Sequence, residues 1–235
     1  MPAIMLERYG VSAVELCQMH FCGQDAEYLD RIAQGLHQTG SAIVNIPVDT
    51  GNISAKDKQK RFFDLRIIKS WMDIAHYLKS PAVRVNTGYQ EGEPDLSITV
   101  DSYRQLIDYG RGLGLTIIVE NHGGLSNSID NMVTLFQELD CEDFRSCPDF
   151  GEFDTSKRYE DLARIAQYAF LVHVKTYDFN PDGSHSHFDV KKCIHIVESA
   201  GFNGYYSVEF EGEGDQYEGV KNTIELVGEA LTGER

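Results

Sequence analysis

The sequence predicts an α/β protein of the TIM-type (β/α) barrel class, with seven strands visible and the first strand of an eight-strand barrel lacking. Three observations carry that expectation. Short apolar runs rich in β-branched residues alternate with longer amphipathic stretches, the pattern of a parallel sheet with crossover helices. Residues of metal-ligand type recur at the C-terminal ends of successive strands, where barrel sites form. No linker, low-complexity tract or composition break divides the 235 residues, so residues 1–235 are expected to form a single (β/α) barrel domain. An open doubly wound sheet is the alternative, but it would scatter successive strand tips along an edge.

Residues 2–9 read as a short helix closed by Gly10. Val11 to Cys17 alternates like a strand, and Gln24 to Gln38 places Tyr28, Ile32 and Leu36 at helical spacing. Ala42 to Val48 is the next strand, with Pro47 near its end. A long helix is expected from about Ser54, as its N-cap, to Lys79, with Phe62, Leu65, Ile68, Met72 and Ala75 as its apolar stripe. The Phe62/Phe63 pair and Trp71 are expected to pack. Strands follow at 82–87, 116–120, into Asp149, at 170–175 and at 205–210, with helices near 100–113, 128–139, 156–168, 188–200 and 216–231. Met1–Leu6 cannot supply a first strand, because a parallel connection to residue 11 needs a crossover. A seam there exposes strand edges, so the edge is expected to be covered by another subunit or by the N-terminal helix, and a homo-oligomer, dimer or tetramer, is expected.

Composition narrows the function. The net charge is −16, from 37 acidic and 21 basic residues, and no basic run is visible, so a nucleic-acid partner is not expected. No apolar run approaches the roughly 18 residues that span a bilayer, and the first ten residues lack the basic and apolar regions of a signal peptide. Five cysteines without a C-x-x-C pair read as free thiols of a reducing compartment. A cytoplasmic protein without a membrane partner is expected.

The chemistry gathers at four strand ends. Ile117-Ile-Val-Glu-Asn-His122, Ser146-Cys-Pro-Asp149, Leu171-Val-His-Val-Lys175 and Tyr206-Ser-Val-Glu209 offer Glu120, Asp149, His173 and Glu209. Three carboxylates and an imidazole suit one divalent cation. Each ligand lies about one strand, loop and helix beyond the last, so consecutive βα units can converge on a single ion. A lone strand-end carboxylate is more often a turn or helix cap; the recurrence at four successive ends is the argument. His122 and Lys175 each lie two residues past a ligand and share its side of an extended strand, which makes them candidates for substrate binding. Glu211 repeats the pattern after Glu209 and rivals it as ligand. Asn86, at a strand end and able to donate to a hydroxyl, and His187 or His185 in the loop after the His173 strand are further substrate-binding candidates, with His20 beyond the first visible strand. Glu152, three past Asp149, is a candidate to support the ligands. His37, His76 and His195 fall in helices, where a surface or satisfied histidine is the default.

The stretch from about Ala82 to Gly212 resembles the sugar phosphate isomerase/epimerase superfamily, the xylose isomerase-like TIM barrels. The resemblance rests on Ile-Ile-Val-Glu-Asn-His, Cys-Pro-Asp-Phe-Gly, Val-His-Val-Lys and, most specifically, Gly201-Phe-Asn-Gly-Tyr-Tyr-Ser-Val-Glu-Phe-Glu-Gly212. Val11-Ser-Ala-Val-Glu-Leu16 is similar to that family's second strand. The resemblance implies Glu120, Asp149, His173 and Glu209 as ligands of a Mn, Mg, Co or Zn ion, with Glu120 and Glu209 also moving a proton. It implies an isomerase or epimerase of a sugar or polyol derivative that works through a metal-stabilised enediolate. The sequence departs from the ketose 3-epimerase pattern. Glu152 stands where those proteins tend to carry a histidine, and Tyr177-Asp-Phe179 offers no arginine. A keto-polyol dehydratase on the same site and a non-catalytic binding barrel are the alternatives, while the net charge of −16 argues against an endonuclease IV-like nuclease.

Overall fold

The structure is a computed structural model that describes residues 2–233. The chain forms two compact units, Met1–Arg145 and Ser146–Arg235.

In the first unit, α1 (Pro2–Tyr9), β1 (Ala13–Glu15), α2 (Ala26–Thr39), β2 (Ala42–Val48), α3 (Lys58–Tyr77), β3 (Ala82–Val85), α4 (Leu96–Arg111), β4 (Thr116–Glu120) and α5 (Ile129–Leu139) alternate. The sheet runs in sequence order from β1 to β5 (Phe144–Cys147), which carries the chain into the second unit. The β1/β2, β2/β3 and β3/β4 pairs are parallel.

Register decides which side chains share a face. Ile46 pairs with Val83, and Val83 with Ile117. All three are fully buried, on the side where Gly110 of α4 comes close to both Ile117 and Met72 of α3. The neighbouring row, Pro47, Arg84 and Ile118, faces the other way. Two residues further along the chain come Asp49 and Asn86, each just past its strand, and Glu120, the last residue of β4. One alternation therefore separates an apolar face under the helices from a polar face at the strand tips.

Local chemistry moves several expected boundaries. Ser54 does not cap α3. Its hydroxyl is buried against Thr99 Oγ1 at 2.7 Å, and Asp57 caps instead by accepting the Gln59 and Lys60 N–H groups. The strand expected over residues 11–17 shrinks to β1, and the 82–87 strand to β3. Asp25 and Asp95 cap α2 and α4, so α4 starts four residues before the expected 100. Ser128 caps α5, which runs where periodicity placed it. Trp71 is buried as expected, but Phe62 and Phe63 are 58% and 57% exposed. They lie on the outer face of α3 and contact each other edge-on at 5.7 Å. The true inward stripe is Leu65, Ile68, Met72 and Ala75.

In the second unit, α6 (Arg158–Ile165), β6 (Leu171–Thr176), α7 (Val190–Ser199), β7 (Tyr205–Phe210) and α8 (Gln216–Thr232) follow. β6 and β7 pair in parallel, with His173 opposite Ser207 and Lys175 opposite Glu209. Val172, Val174 and Thr176 take the other face. There Thr176 Oγ1 meets Thr223 Oγ1 of α8 at 2.6 Å. The seven strands are those of the described residues, and no described helix is long and apolar enough to cross a membrane.

Candidate metal and substrate site

In the first unit, Glu120 ends β4 and is 2% exposed. Its Oε2 lies 3.2 Å from Nε of Arg84, which is itself buried. Arg84 also donates through Nη1 to Asp49 Oδ1 at 2.8 Å and to Asn86 Oδ1 at 2.7 Å. Asn86 Nδ2 donates to the same Asp49 oxygen at 3.0 Å. Behind them Asn45 Oδ1 accepts the Arg84 N–H, and Asn45 Nδ2 donates to Glu15. One guanidinium thus ties together the tips of β2, β3 and β4. Arg84 and Asp49 were not among the expected site residues. The readable signal was a charge at the inward position of an otherwise apolar strand, Ala-Val-Arg-Val.

His122 departs from expectation. β4 stops at Glu120, so the two-residue alternation does not reach it, and His122 is exposed in the loop beyond. That loop is held close by glycine. Gly124 has φ +57 and packs against the Gly88 backbone, and the Gly88 carbonyl accepts the Leu125 N–H at 2.9 Å.

The second unit holds the other three candidate ligands. Asp149 and His173 are joined by a parallel bridge, in which the Pro148 carbonyl accepts the His173 N–H and the His173 carbonyl accepts the Phe150 N–H. Both side chains are buried. Asp149 Oδ1 accepts the Gly151 N–H at 2.7 Å, and His173 Nδ1 lies 3.4 Å from Glu209 Oε1. Glu209 is 34% exposed at its side chain, and so is open to a ligand.

Lys175 occupies the centre of this group. Its Nζ lies 2.9 Å from Asp149 Oδ2, 2.8 Å from Glu152, 3.8 Å from Glu209 and 3.6 Å from Glu211. Burial works to lower its pKa, but Asp149, Glu152 and Glu209 outweigh it and hold the ammonium well above its ordinary value. Gly151 makes room for the lysine stem, since a Cβ there would sit 2.9 Å from Lys175 Cδ. Glu152, where a histidine is usual in the resembled epimerases, therefore anchors Lys175. Glu211 lies on the same face as Glu209, but is more exposed, at 55%.

The donor set suits a divalent cation. Asp149, His173 and Glu209 offer two carboxylates and an imidazole, and the surrounding acids outnumber the single ammonium. Asp149 is buried and paired with Lys175, while the part-exposed Glu152, Glu209 and Glu211 leave an excess of negative charge beside it that favours a cation.

The loop after β6 carries two histidines. His187 is exposed and pairs with Asp178 at 3.4 Å. His185 is buried. Its Nε2 accepts the Tyr177 N–H at 3.1 Å, so the ring is neutral with its proton on Nδ1, towards the Phe188 carbonyl. Burial pushes its pKa down to about 4 against that carbonyl bond, with His187 and Arg158 lowering it further. Because the unfolded chain protonates near 6.5, His185 contributes stability that is complete above about pH 6.5 and is lost as pH falls towards 4. The urea midpoint is expected to fall more steeply over that window in the wild type than in His185→Gln. Equal slopes would refute the assignment. His20 is exposed in the 3-10 turn Gln18–His20, and His37, His76 and His195 are exposed on helices.

The model of the family described as "Xylose isomerase-like TIM barrel" matches residues 5–230. No curated protein matches the chain by sequence. Among solved structures, a xylose isomerase-like TIM barrel protein from Mycobacterium smegmatis in complex with magnesium superposes with TM-score 0.75 at 15% identity, over 98% of this chain and 87% of its own. An L-ribulose 3-epimerase gives TM-score 0.80 at 14% identity, over 95% of this chain and 85% of its own. The IOLI protein with a bound zinc atom gives 0.80 at 15%, over 100% and 93%. At such identities these likenesses speak for the fold, whereas the family match runs over nearly the whole sequence: the chain belongs to the xylose isomerase-like TIM barrel family.

Proposed function

We propose that the protein is a metal-dependent isomerase or epimerase of a sugar or polyol derivative, built as one barrel domain. The observation that carries this reading is the set of ligand-type residues on or just after successive strands: Glu120 at the end of β4, Asp149 two residues past β5 and His173 within β6 are buried, and Glu209 near the end of β7 is a partly open one beside His173. Family membership and the magnesium, zinc and epimerase relatives support it. These four residues would hold one Mn, Mg, Co or Zn ion, which would supply Lewis-acid stabilisation of the charge that develops on the substrate oxygens.

The protein's own groups do the rest. Glu209, open to solvent and in reach of His173, suits proton transfer at a substrate carbon. Glu120, tied to Arg84, is the second acid/base group. Two carboxylates on opposite faces of one carbon move a proton from one side to the other. Lys175, Asn86, His122, His187 and Glu211 are the proposed substrate contacts. Lys175 reaches substrate only as part of its carboxylate cluster, and His122 and His187 only from exposed loops.

The test is metal analysis of the purified protein, followed by solvent deuterium incorporation into a panel of ketoses and polyol-derived ketones. Bound metal with label at a carbon next to the carbonyl is the expected result. Loss of water instead would mark a dehydratase, and metal without exchange a binding barrel. We further propose a cytoplasmic location, supported by five free cysteines, and a homo-oligomer, supported by the exposed Phe62, Phe63 and Ile67 on α3.

A further inference from the structure

We infer that Asp49 and Asn86 form a hydroxyl-binding subsite of the proposed sugar site, with Arg84 as the positioning residue that holds both; this rests on the functional reading above. Three features of the first unit lead there. The first is placement. Asp49 and Asn86 follow directly on β2 and β3, and both are bonded to Arg84, whose guanidinium also meets Glu120. They therefore stand on the rim that carries a proposed acid/base group.

The second is the state of each polar atom. Asp49 Oδ1 is saturated by Arg84 Nη1 and Asn86 Nδ2. Asp49 Oδ2 receives the Cys17 thiol at 3.2 Å. A thiol is a weak donor, and here it stays protonated, its pKa pushed up to about 11 by burial and by Asp49. The Asp49 side chain is 29% exposed. One strong acceptor oxygen is thus held outward by a saturated partner oxygen and, among the described residues, is met by a weak donor alone. Beside it, Asn86 Nδ2 has a second proton beyond the one it gives to Asp49. A sugar hydroxyl that donates to Asp49 Oδ2 and accepts from Asn86 satisfies both groups at once.

The third is electrostatic. Arg84 is shared between Asp49 and Glu120, so its charge is already neutralised by carboxylates. The subsite accordingly reads a neutral hydroxyl and not an anionic group. It also links recognition to chemistry, because the guanidinium that orients Asp49 orients Glu120.

The experiment uses the full chain loaded with Mn²⁺ and measures dissociation constants for five- and six-carbon alditols and their monodeoxy counterparts by ligand-observed NMR. One hydrogen bond to a charged group corresponds to at least about a ten-fold difference in affinity. The wild type is expected to bind one alditol about ten-fold more tightly than its deoxy partner, and Asp49→Ala to bind the two equally while keeping its metal. Arg84→Met is expected to weaken the alditol more than the deoxy compound and so to lose the discrimination, and Arg84→Lys to recover part of it. Discrimination that survives in Asp49→Ala, metal lost from Asp49→Ala, equal weakening of both ligands in Arg84→Met, or no alditol binding by the wild type each overturns the subsite. Metal content of the wild type judges the underlying functional reading separately, since a metal-free protein would fail that reading first.

Discussion

His173→Ala is expected to purify with little divalent metal and with its fold intact. The imidazole is buried beside Glu209, while the backbone at this residue is fixed independently by bonds to Pro148 and Phe150. Truncating the side chain removes a ligand and leaves the bridge to Asp149. Loss of a residue that merely orients a metal ligand costs about 10–100-fold in metal affinity, so loss of a ligand should cost at least about 100-fold. Glu209→Gln should retain the fold as well and slow solvent proton exchange by about 10²–10⁴-fold, the range of a general acid/base group. Metal analysis after desalting, beside deuterium incorporation, checks both. Unchanged metal content in His173→Ala would remove this strand end from the site.

Lys175→Met should be among the most destabilising single changes in the second unit. Asp149 is fully buried and has the ammonium 2.9 Å from Oδ2. Methionine fills the stem's volume against Gly151 but leaves Asp149, Glu152, Glu209 and Glu211 without their shared cation. Removing one partner of a buried ion pair costs about 3–5 kcal/mol, because the remaining charge stays desolvated. A bound divalent cation supplies some of the missing positive charge, so the deficit should shrink when Mn²⁺ is added. Urea titrations of both proteins, with and without Mn²⁺, measure this. A Lys175→Met midpoint equal to the wild type without metal would show that the cluster is hydrated and the lysine dispensable.

The alternation of strands and helices was legible because each element announces itself locally. Ser128 caps α5, and Gly233 closes α8 with a left-handed conformation. Ile117-Ile-Val-Glu reads as a strand with a polar tip on its own. Boundaries moved where a residue's partner is distant in sequence. Ser54 looks like a helix cap until Thr87 and Thr99 take its hydroxyl. Phe62 and Phe63 look like core until the rotation of α3 turns Leu65 and Ile68 inward instead.

The candidate site divides in the same way. Glu120, Asp149, His173 and Glu209 are candidates readable from the sequence because donor chemistry and its recurrence from one βα unit to the next are both visible there. The roles of Arg84 and Lys175 could not. Each is a long cation whose partners lie on other strands or loops, and its engagement depends on register. Arg84 meets Asp49 and Glu120 because Pro47, Arg84 and Ile118 share a row. Lys175 meets Glu209 because the two are paired across β6 and β7. His122 shows the converse, since alternation carries a side chain to the ligand face only while the strand continues, and β4 ends at Glu120. The sequence by itself determined which ligand-type residues successive βα units carry, although His173 falls within β6 and Asp149 two residues past β5. The tertiary structure alone decided which cations neutralise them, because pairing across strands depends on register between segments far apart in the chain, which no local pattern encodes.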